Sequence, residues 1–308
     1  MMPTSALVVG RGSIGVRHER VLAGLGLTVG VVSRRGGAGG TVFSDLAQAL
    51  AALSPGYVVV ATETADHGRV LERLAELGFA GTVLVEKPLF AAPRPLPAHR
   101  FAALAVGYNL RFHPVLQRLA ARLEGERIVS AQLTVGQHLP EWRPGRDYRD
   151  LYSARAAEGG GVLRDLSHEL DTAGWLFGPW RRVAALGGRW GGLEIDSDDT
   201  FVLLGAFARC PAATIQLSYL DRQTRRELVV VTAGPTFHAD LIAGTLRCDR
   251  EAPEHVTPGR DETYRAMHDA VLAGRPGPCD AGEGLRTVAL IAAAEQAARD
   301  GVWVTAVP

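Results

Sequence analysis

The sequence predicts an α/β domain built on a doubly wound parallel sheet, followed by an α+β domain whose sheet is mainly antiparallel. Three observations carry this. A glycine loop, Gly10-x-Gly12-x-x-Gly15, lies between an apolar strand and a helix. Strand-like and helix-like stretches then alternate up to about residue 114. Beyond 115 the apolar runs follow one another with no long helix between them. The expected domains are therefore residues 1–114 and 115–308.

Ala6-Leu7-Val8-Val9 reads as the first strand, and the helix from Val16 to Leu25 follows the glycine loop. Thr28 to Val32 is the second strand. Strand, glycine loop, helix and strand within about 30 residues form the Rossmann dinucleotide-binding unit. Gly10 is expected to make the tight turn. Gly12 lets the backbone approach a pyrophosphate, and Gly15 lets helix and strand pack closely. Ser13 and Ile14 complete the loop as candidate cofactor contacts.

An NAD-binding unit usually ends its second strand in an acid that accepts from the ribose 2′-hydroxyl. Here the strand ends in Ser33-Arg34-Arg35, followed by Gly36-Gly37-Ala38-Gly39-Gly40. Two guanidiniums and a hydroxyl suit a 2′-phosphate, so NADP(H) is the expected cofactor and NAD(H) the second choice.

Thr41 to Leu53 reads as a turn and a helix, and Tyr57 to Ala61 as a buried strand. Thr62 and His67, just after it, are further candidate cofactor residues. A helix over Val70 to Leu77 leads to Thr82-Val83-Leu84-Val85-Glu86-Lys87-Pro88. This apolar run is stopped by a proline, which puts Glu86 and Lys87 at a strand's carboxyl end, where open α/β sheets bind ligands. Leu104 to Tyr108 is one more strand, ending near Arg111.

In the second half, Val115 to Leu123 has helical periodicity, and Ile128 to Val135 alternates with period two. Residues 137–158 form a long polar segment containing Tyr148, Arg149 and Tyr152, which reads as a binding loop. Gly159-Gly160-Gly161 opens an expected helix from Val162 to Phe177 carrying Arg164, Asp165 and His168. On one helix, Asp165 and His168 are i, i+3 and share a face. The pair could also form half of a metal site, but no second cluster with ligand spacing accompanies it, so no metal is expected. Strand-like runs follow between 183 and 241. Helices over 261–272 and 281–299 and a short strand at 302–305 close the chain.

Composition narrows the class. The chain has 308 residues, 47% of them hydrophobic, with 33 basic and 33 acidic side chains. No global field would draw nucleic acid or an anionic membrane. Cys210, Cys248 and Cys279 show no Cys-x-x-Cys spacing, and the first residues lack the pattern of a signal peptide. A reducing cytoplasm is the expected setting.

With these motifs in hand, the chain resembles the Gfo/Idh/MocA family of NAD(P)-dependent oxidoreductases. The matching residues are Gly10-x-Gly12-x-x-Gly15, Ala61-Thr62 to His67, Glu86-Lys87-Pro88, Gly107-Tyr108-x-x-Arg111-Phe112, Gly159-Gly160-Gly161 with Asp165, His168 and Asp171, and Ala281-Gly282-Glu283-Gly284-Leu285. The resemblance implies an open-faced second sheet, often used for dimers or dimers of dimers. It implies Lys87 as catalytic lysine, His168 as catalytic histidine and Asp165 as its acidic partner, although many members separate acid and histidine by four residues. The implied reaction is hydride transfer between NADP(H) and a carbinol or carbonyl carbon of a sugar, cyclitol or sugar-nucleotide. Arg111, Tyr148, Arg149, Tyr152 and Arg164 are the candidate substrate ligands. The alternatives are a reductase of a C=N or other non-sugar substrate on the same fold, and a non-catalytic cofactor-binding regulator.

Overall fold

The computed structural model describes residues 3–33, 41–249 and 251–307. In chain order the first elements are β1 (Ser5–Val9), α1 (Ser13–Gly24), β2 (Thr28–Val32), β3 (Thr41–Phe43), α2 (Leu46–Leu53), β4 (Tyr57–Val60), α3 (His67–Glu76), β5 (Thr82–Val85) and β6 (Ala103–Val106). Then come α4 (Pro114–Arg122), β7 (Ile128–Gly136), α5 (Val162–Asp165), α6 (His168–Phe177), β8 (Trp180–Gly188), β9 (Thr200–Phe207) and β10 (Ala213–Ser218). They are followed by β11 (Arg225–Thr232), β12 (Thr236–Asp240), β13 (Thr245–Cys248), β14 (Glu254–His255), α7 (Glu262–Leu272), β15 (Cys279–Asp280), α8 (Ala281–Asp300) and β16 (Val304–Thr305).

The chain divides into two compact units. The first comprises residues 1–112 and 259–284, and the second residues 113–258 and 285–308. Sequence reading placed everything after 114 in the second domain. The structure instead returns residues 259–284 to the first. Met267 and Val271 on α7 join Leu22, Val31, Tyr57, Val59 and Leu84 in one core cluster, and β15 pairs antiparallel with β6. The buried stripe of α7 completes a face of the parallel sheet, a match that nothing local to 259–284 announces.

The first sheet has the order β15-β6-β5-β4-β1-β2-β3, with β1 to β6 all parallel. Strand order reverses between β1 and β4, so their carboxyl ends flank the switch point at which such sheets bind ligands, with β5 next beyond β4. β4 is buried at every position, as strands covered on both faces must be. The stretch from Thr41 to Leu53, expected as a turn and a helix, begins with a three-residue strand, β3, paired with β2. α2 is capped by Asp45, which accepts from the Gln48 N–H at 2.9 Å.

The second sheet has nine strands in the order β14-β13-β12-β11-β7-β10-β9-β8-β16. Only the β10–β7 pair is parallel. Its strands alternate: Phe201, Leu203 and Phe207 of β9 are buried, while Val202 and Leu204 on the opposite face are 40% and 43% exposed. Leu186 of β8, at 67%, shares that exposed character. The Arg226 guanidinium on β11 pairs with Glu169 of α6 at 2.7 Å, fixing that helix to the sheet. Among the described residues, no helix is long and apolar enough to cross a membrane.

Candidate active site

In the first unit, the glycine loop is dictated by space. Gly10 has φ +104°, and a Cβ there would lie 2.5 Å from the Ala61 carbonyl oxygen. A Cβ on Gly15 would lie 2.1 Å from the Gly10 carbonyl oxygen. Gly12 differs, because a Cβ there meets nothing within 4 Å. It is the N-cap of α1, which has no side-chain cap and no acidic residue in its first turn. The N–H groups and positive dipole end of a twelve-residue helix are thus open to an anion. Nearby, Thr62 Oγ1 is buried with no hydrogen-bond partner among the described residues. These features fit the pyrophosphate of a dinucleotide. Ser13 is exposed beside Gly12, and Ile14 packs against the core. Ser33 lies at the end of β2, its N–H donating to the Phe43 carbonyl at 2.9 Å. Arg34 and Arg35, and the glycine loop 36–40, lie outside the described residues.

Lys87 follows the carboxyl end of β5 and is half-buried. The turn that carries it is held from both sides. Glu86, 7% exposed, accepts from the Lys87 backbone N–H at 3.2 Å through one oxygen, and its other oxygen lies 2.8 Å from His18 Nε2. Gly107 makes room for this carboxylate, since a Cβ there would be 3.0 Å from Oε1. Burial alone would raise the Glu86 pKa. The hydrogen bond and charge of His18, with the charge of Lys87, overcome it and leave the carboxyl below its ordinary value. On the far side, the buried His67 ring lies 3.1 Å from the Pro88 carbonyl, 3.3 Å from that of Leu89 and 3.2 Å from that of Thr62. Burial, only partly offset by these backbone oxygens, lowers its pKa and favours a neutral ring.

Glu86 and His67 were expected among the cofactor contacts. Their polar atoms are instead spent inside the first unit, on the turn that presents Lys87. Arg111 is likewise engaged within the first unit. It is 3% exposed and pairs with Glu283 at 2.8 Å, so its guanidinium locks the start of α8 to the turn after β6.

In the second unit, the helix expected from Val162 to Phe177 is two helices. Asp165 is the last residue of α5 and His168 the first of α6, with Leu166 and Ser167 as the turn between them. The Glu169 N–H reaches back to the Leu166 carbonyl, three residues earlier, so the α-helical ladder is interrupted there. The expected i, i+3 relation on one face therefore does not hold. Asp165 is bound elsewhere: Oδ1 accepts from the Tyr152 hydroxyl, and Oδ2 accepts from Tyr219 at 2.6 Å. Tyr219 is fully buried. Burial, with the Asp165 carboxylate next, pushes its pKa well above the ordinary value, so it stays a donor. Asp165 thus ties the 137–158 segment and the end of β10 to the turn just before His168.

That segment is a run of short 3₁₀ turns. Its polar groups largely hold one another. Exposed Arg149 pairs with Asp147 at 2.6 Å and Glu194 at 2.5 Å, and Tyr148 Oη accepts from the Glu194 N–H at 3.1 Å. Arg164 pairs with Glu295 of α8 at 2.6 Å.

One group was missed by sequence reading. Asp198 Oδ1 is buried with no hydrogen-bond partner among the described residues. It occupies space that only glycine leaves, 2.1 Å from where a Cβ of Gly161 would stand. Burial pushes its carboxyl up to about 7, with Glu295 adding to this and Arg164 and the Val162 and Leu163 N–H groups opposing it. In the sequence it is one acid among several in Asp196-Ser197-Asp198-Asp199, and no spacing distinguishes it.

An open helix N-terminus at a glycine loop, a lysine at the carboxyl edge of the same sheet and a nine-stranded second sheet define a dinucleotide-dependent oxidoreductase fold of two domains. Residues 116–235 match the family model described as the GFO/IDH/MocA C-terminal domain. None of the curated proteins matches it. Among solved structures it is similar to GenD2 from gentamicin A biosynthesis in complex with NAD, at 25% identity and a TM-score of 0.81 over 100% of this chain and 97% of that one. It is also similar to the WlbA dehydrogenase from Bordetella pertussis in complex with NADH and UDP-GlcNAcA (21% identity, TM-score 0.80, 99% of each chain). A third is the UDP-N-acetylglucosamine 3-dehydrogenase GnnA from Acidithiobacillus ferrooxidans (21%, 0.77, 97% of this chain and 99% of that).

Proposed function

We propose that the protein is a dehydrogenase that moves a hydride between a nicotinamide cofactor and a carbinol or carbonyl carbon of a sugar, cyclitol or sugar-nucleotide. The observation that carries this is the turn after β5, where Glu86 and His67 are buried to hold Lys87 at the carboxyl edge of a dinucleotide-binding sheet, one strand from its switch point. The sugar class follows the similar structures, whose names include a sugar-nucleotide dehydrogenase and a complex with UDP-GlcNAcA.

When bound, the cofactor would supply or accept the hydride, and the N–H groups around Gly12 would hold its pyrophosphate. Lys87 acts as an ammonium that draws electron density from the substrate oxygen as charge develops there. His168 gives or takes the hydroxyl proton, a task its ring suits near neutral pH. Asp165, gripped by two tyrosines, serves His168 as a positioning residue. Tyr148, Tyr152, Arg149 and Arg164 remain the proposed substrate-side residues, with the ion pairs of the two arginines exchanging for substrate hydroxyls or an acidic group.

The preference for NADP(H) rests on Ser33-Arg34-Arg35, where no acid follows β2. The similar structures that name a cofactor carry NAD or NADH. A homodimer or homotetramer joined through the face bearing Leu186, Val202 and Leu204 is the proposed assembly, and cytoplasm the proposed compartment.

Purified protein mixed with NADPH or NADH and a panel of ketosugars and oxidised sugar-nucleotides tests the reading. Lys87→Met and His168→Ala should each lower kcat by about 100-fold or more, in the range general acid–base and electrostatic groups supply. Turnover at the wild-type rate in either variant would overturn the roles assigned.

A further inference from the structure

The first unit holds a chain of buried polar groups that neither cofactor binding nor core packing requires. His18 Nε2 lies 2.8 Å from Glu86 Oε1, His18 Nδ1 lies 2.8 Å from His268 Nε2, and His268 Nδ1 lies 2.9 Å from the Tyr57 hydroxyl. His18, His268 and Tyr57 are each 0% exposed. We propose that His18 and His268 are positioning residues for the reaction at Lys87. With Tyr57 they fix the Glu86 carboxylate and, through it, the turn that carries the lysine. This rests on the reading of Lys87 as a catalytic residue.

The chain has a definite direction at its Glu86 end. A carboxylate only accepts, so His18 must donate to Glu86 through Nε2. With His18 neutral, its Nδ1 accepts from His268 Nε2. Nδ1 of His268 is left to accept from Tyr57. Burial raises the Tyr57 pKa well above its ordinary value, so the phenol keeps the proton it donates. Burial, with His18 second, drives the His268 pKa well down, so that ring stays neutral. Every ring nitrogen is used once, and Glu86 fixes the first donor; with His18 charged, as in an ion pair with Glu86, the same contacts beyond it run in the opposite direction.

Position gives the chain its reach. Tyr57 opens β4 opposite Thr82, the first residue of β5, whereas Glu86 follows Val85, the last. The hydrogen bonds therefore span the strand lengthwise, from its amino end to the ligand-binding end. Edge-on ring contacts pack it: His18 meets Tyr264 at 5.6 Å between centroids, and His268 meets Tyr57 at 5.7 Å. A neighbour of His268, Met267, sits in the apolar core, as do Ala270 and Val271 among the buried residues of α7. An apolar side chain at 268 would fill the same space without burying polar atoms, which is costly unless each is satisfied. A fully satisfied polar chain is rigid, and its one exit is the carboxylate that caps Lys87.

The test compares His268→Phe, which fills the space but ends the chain, with His268→Gln. The glutamine amide can donate to His18 and its carbonyl accept from Tyr57. His268→Phe should lower kcat by about tenfold, a fraction of the loss that a 1 Å misplacement brings, with KM and cofactor Kd within about twofold. His268→Gln should regain most of that loss. A readout independent of turnover is the rate at which an amine-acylating reagent labels Lys87, followed by peptide mass spectrometry. It should change by about threefold or more in His268→Phe and return in His268→Gln, since the reagent senses the lysine's placement. If His268→Phe does not fold, Tyr57→Phe removes only the terminal donor and should show the same effects in smaller measure. Labelling and kcat unchanged in the soluble variant, or a glutamine that restores neither, would overturn the proposal. If wild-type protein turned over no sugar, the functional reading would fall and labelling alone would decide the positioning role.

Discussion

Asp198→Asn is the perturbation whose size can be worked most directly. Burial holds the Asp198 carboxyl protonated up to about 7, against an ordinary value of 3.8. At 1.36 kcal/mol per pH unit, ionising it in the native state costs about 4 kcal/mol more than in the unfolded chain. Because Asp198 keeps a partly accessible edge, that figure is a ceiling. The folded-state pKa is raised, so the native state binds more protons than the unfolded state between about pH 4 and pH 7. Stability is therefore fullest below about pH 4, falls as pH rises, and has lost the whole contribution above about pH 7. Between about pH 5 and pH 8 the wild type should lose about 2.5 kcal/mol through this group. An asparagine cannot ionise, so that part of the slope should vanish. Urea unfolding of both proteins across this range measures the difference. Equal pH slopes would refute the burial account of Asp198.

Gly161→Ala should be strongly destabilising, by about 3 kcal/mol or more, because position 161 has φ +113° and a Cβ would strike the Asp198 carboxylate. Thermal unfolding checks it. Arg111→Met should leave KM near its wild-type value while lowering stability by about 3 kcal/mol, as expected when a largely buried ion pair with Glu283 loses one partner. A large KM rise with unchanged unfolding would restore Arg111 as a substrate ligand. Tyr219→Phe should cost about 2 kcal/mol, the value of a buried hydrogen bond to a charged group, and should lower kcat through the loosened Asp165. A fully active, fully stable variant would show that Asp165 needs only Tyr152.

Much of the first unit could be read from local pattern. Gly10 and Gly15 stand where backbone would collide with any Cβ, so their spacing announces the turn whatever lies elsewhere in the chain. Lys87 follows four strand residues, three of them buried, and is stopped by Pro88, which puts it at a strand end by sequence alone. The alternation of β7 and β9 likewise marks sheet faces without tertiary knowledge. The partner of Arg111 could not be read locally, because an arginine in a polar motif does not announce an ion pair with Glu283, 172 residues away in the chain.

By itself, then, the sequence determined the dinucleotide-binding loop, the strand-end lysine, and the change from parallel to antiparallel sheet. Those depend on φ, on Cβ contacts and on periodicity over a few residues. Only the tertiary structure decided that α7 returns to the first unit, that α5 and α6 part between Asp165 and His168, and that Asp165 belongs to two tyrosines. It alone joined His18 to His268 across 250 residues and left Asp198 buried against Gly161. Each of these is a pairing of polar groups distant in the chain. The free energy of such a pair depends on burial and partners that no local pattern records.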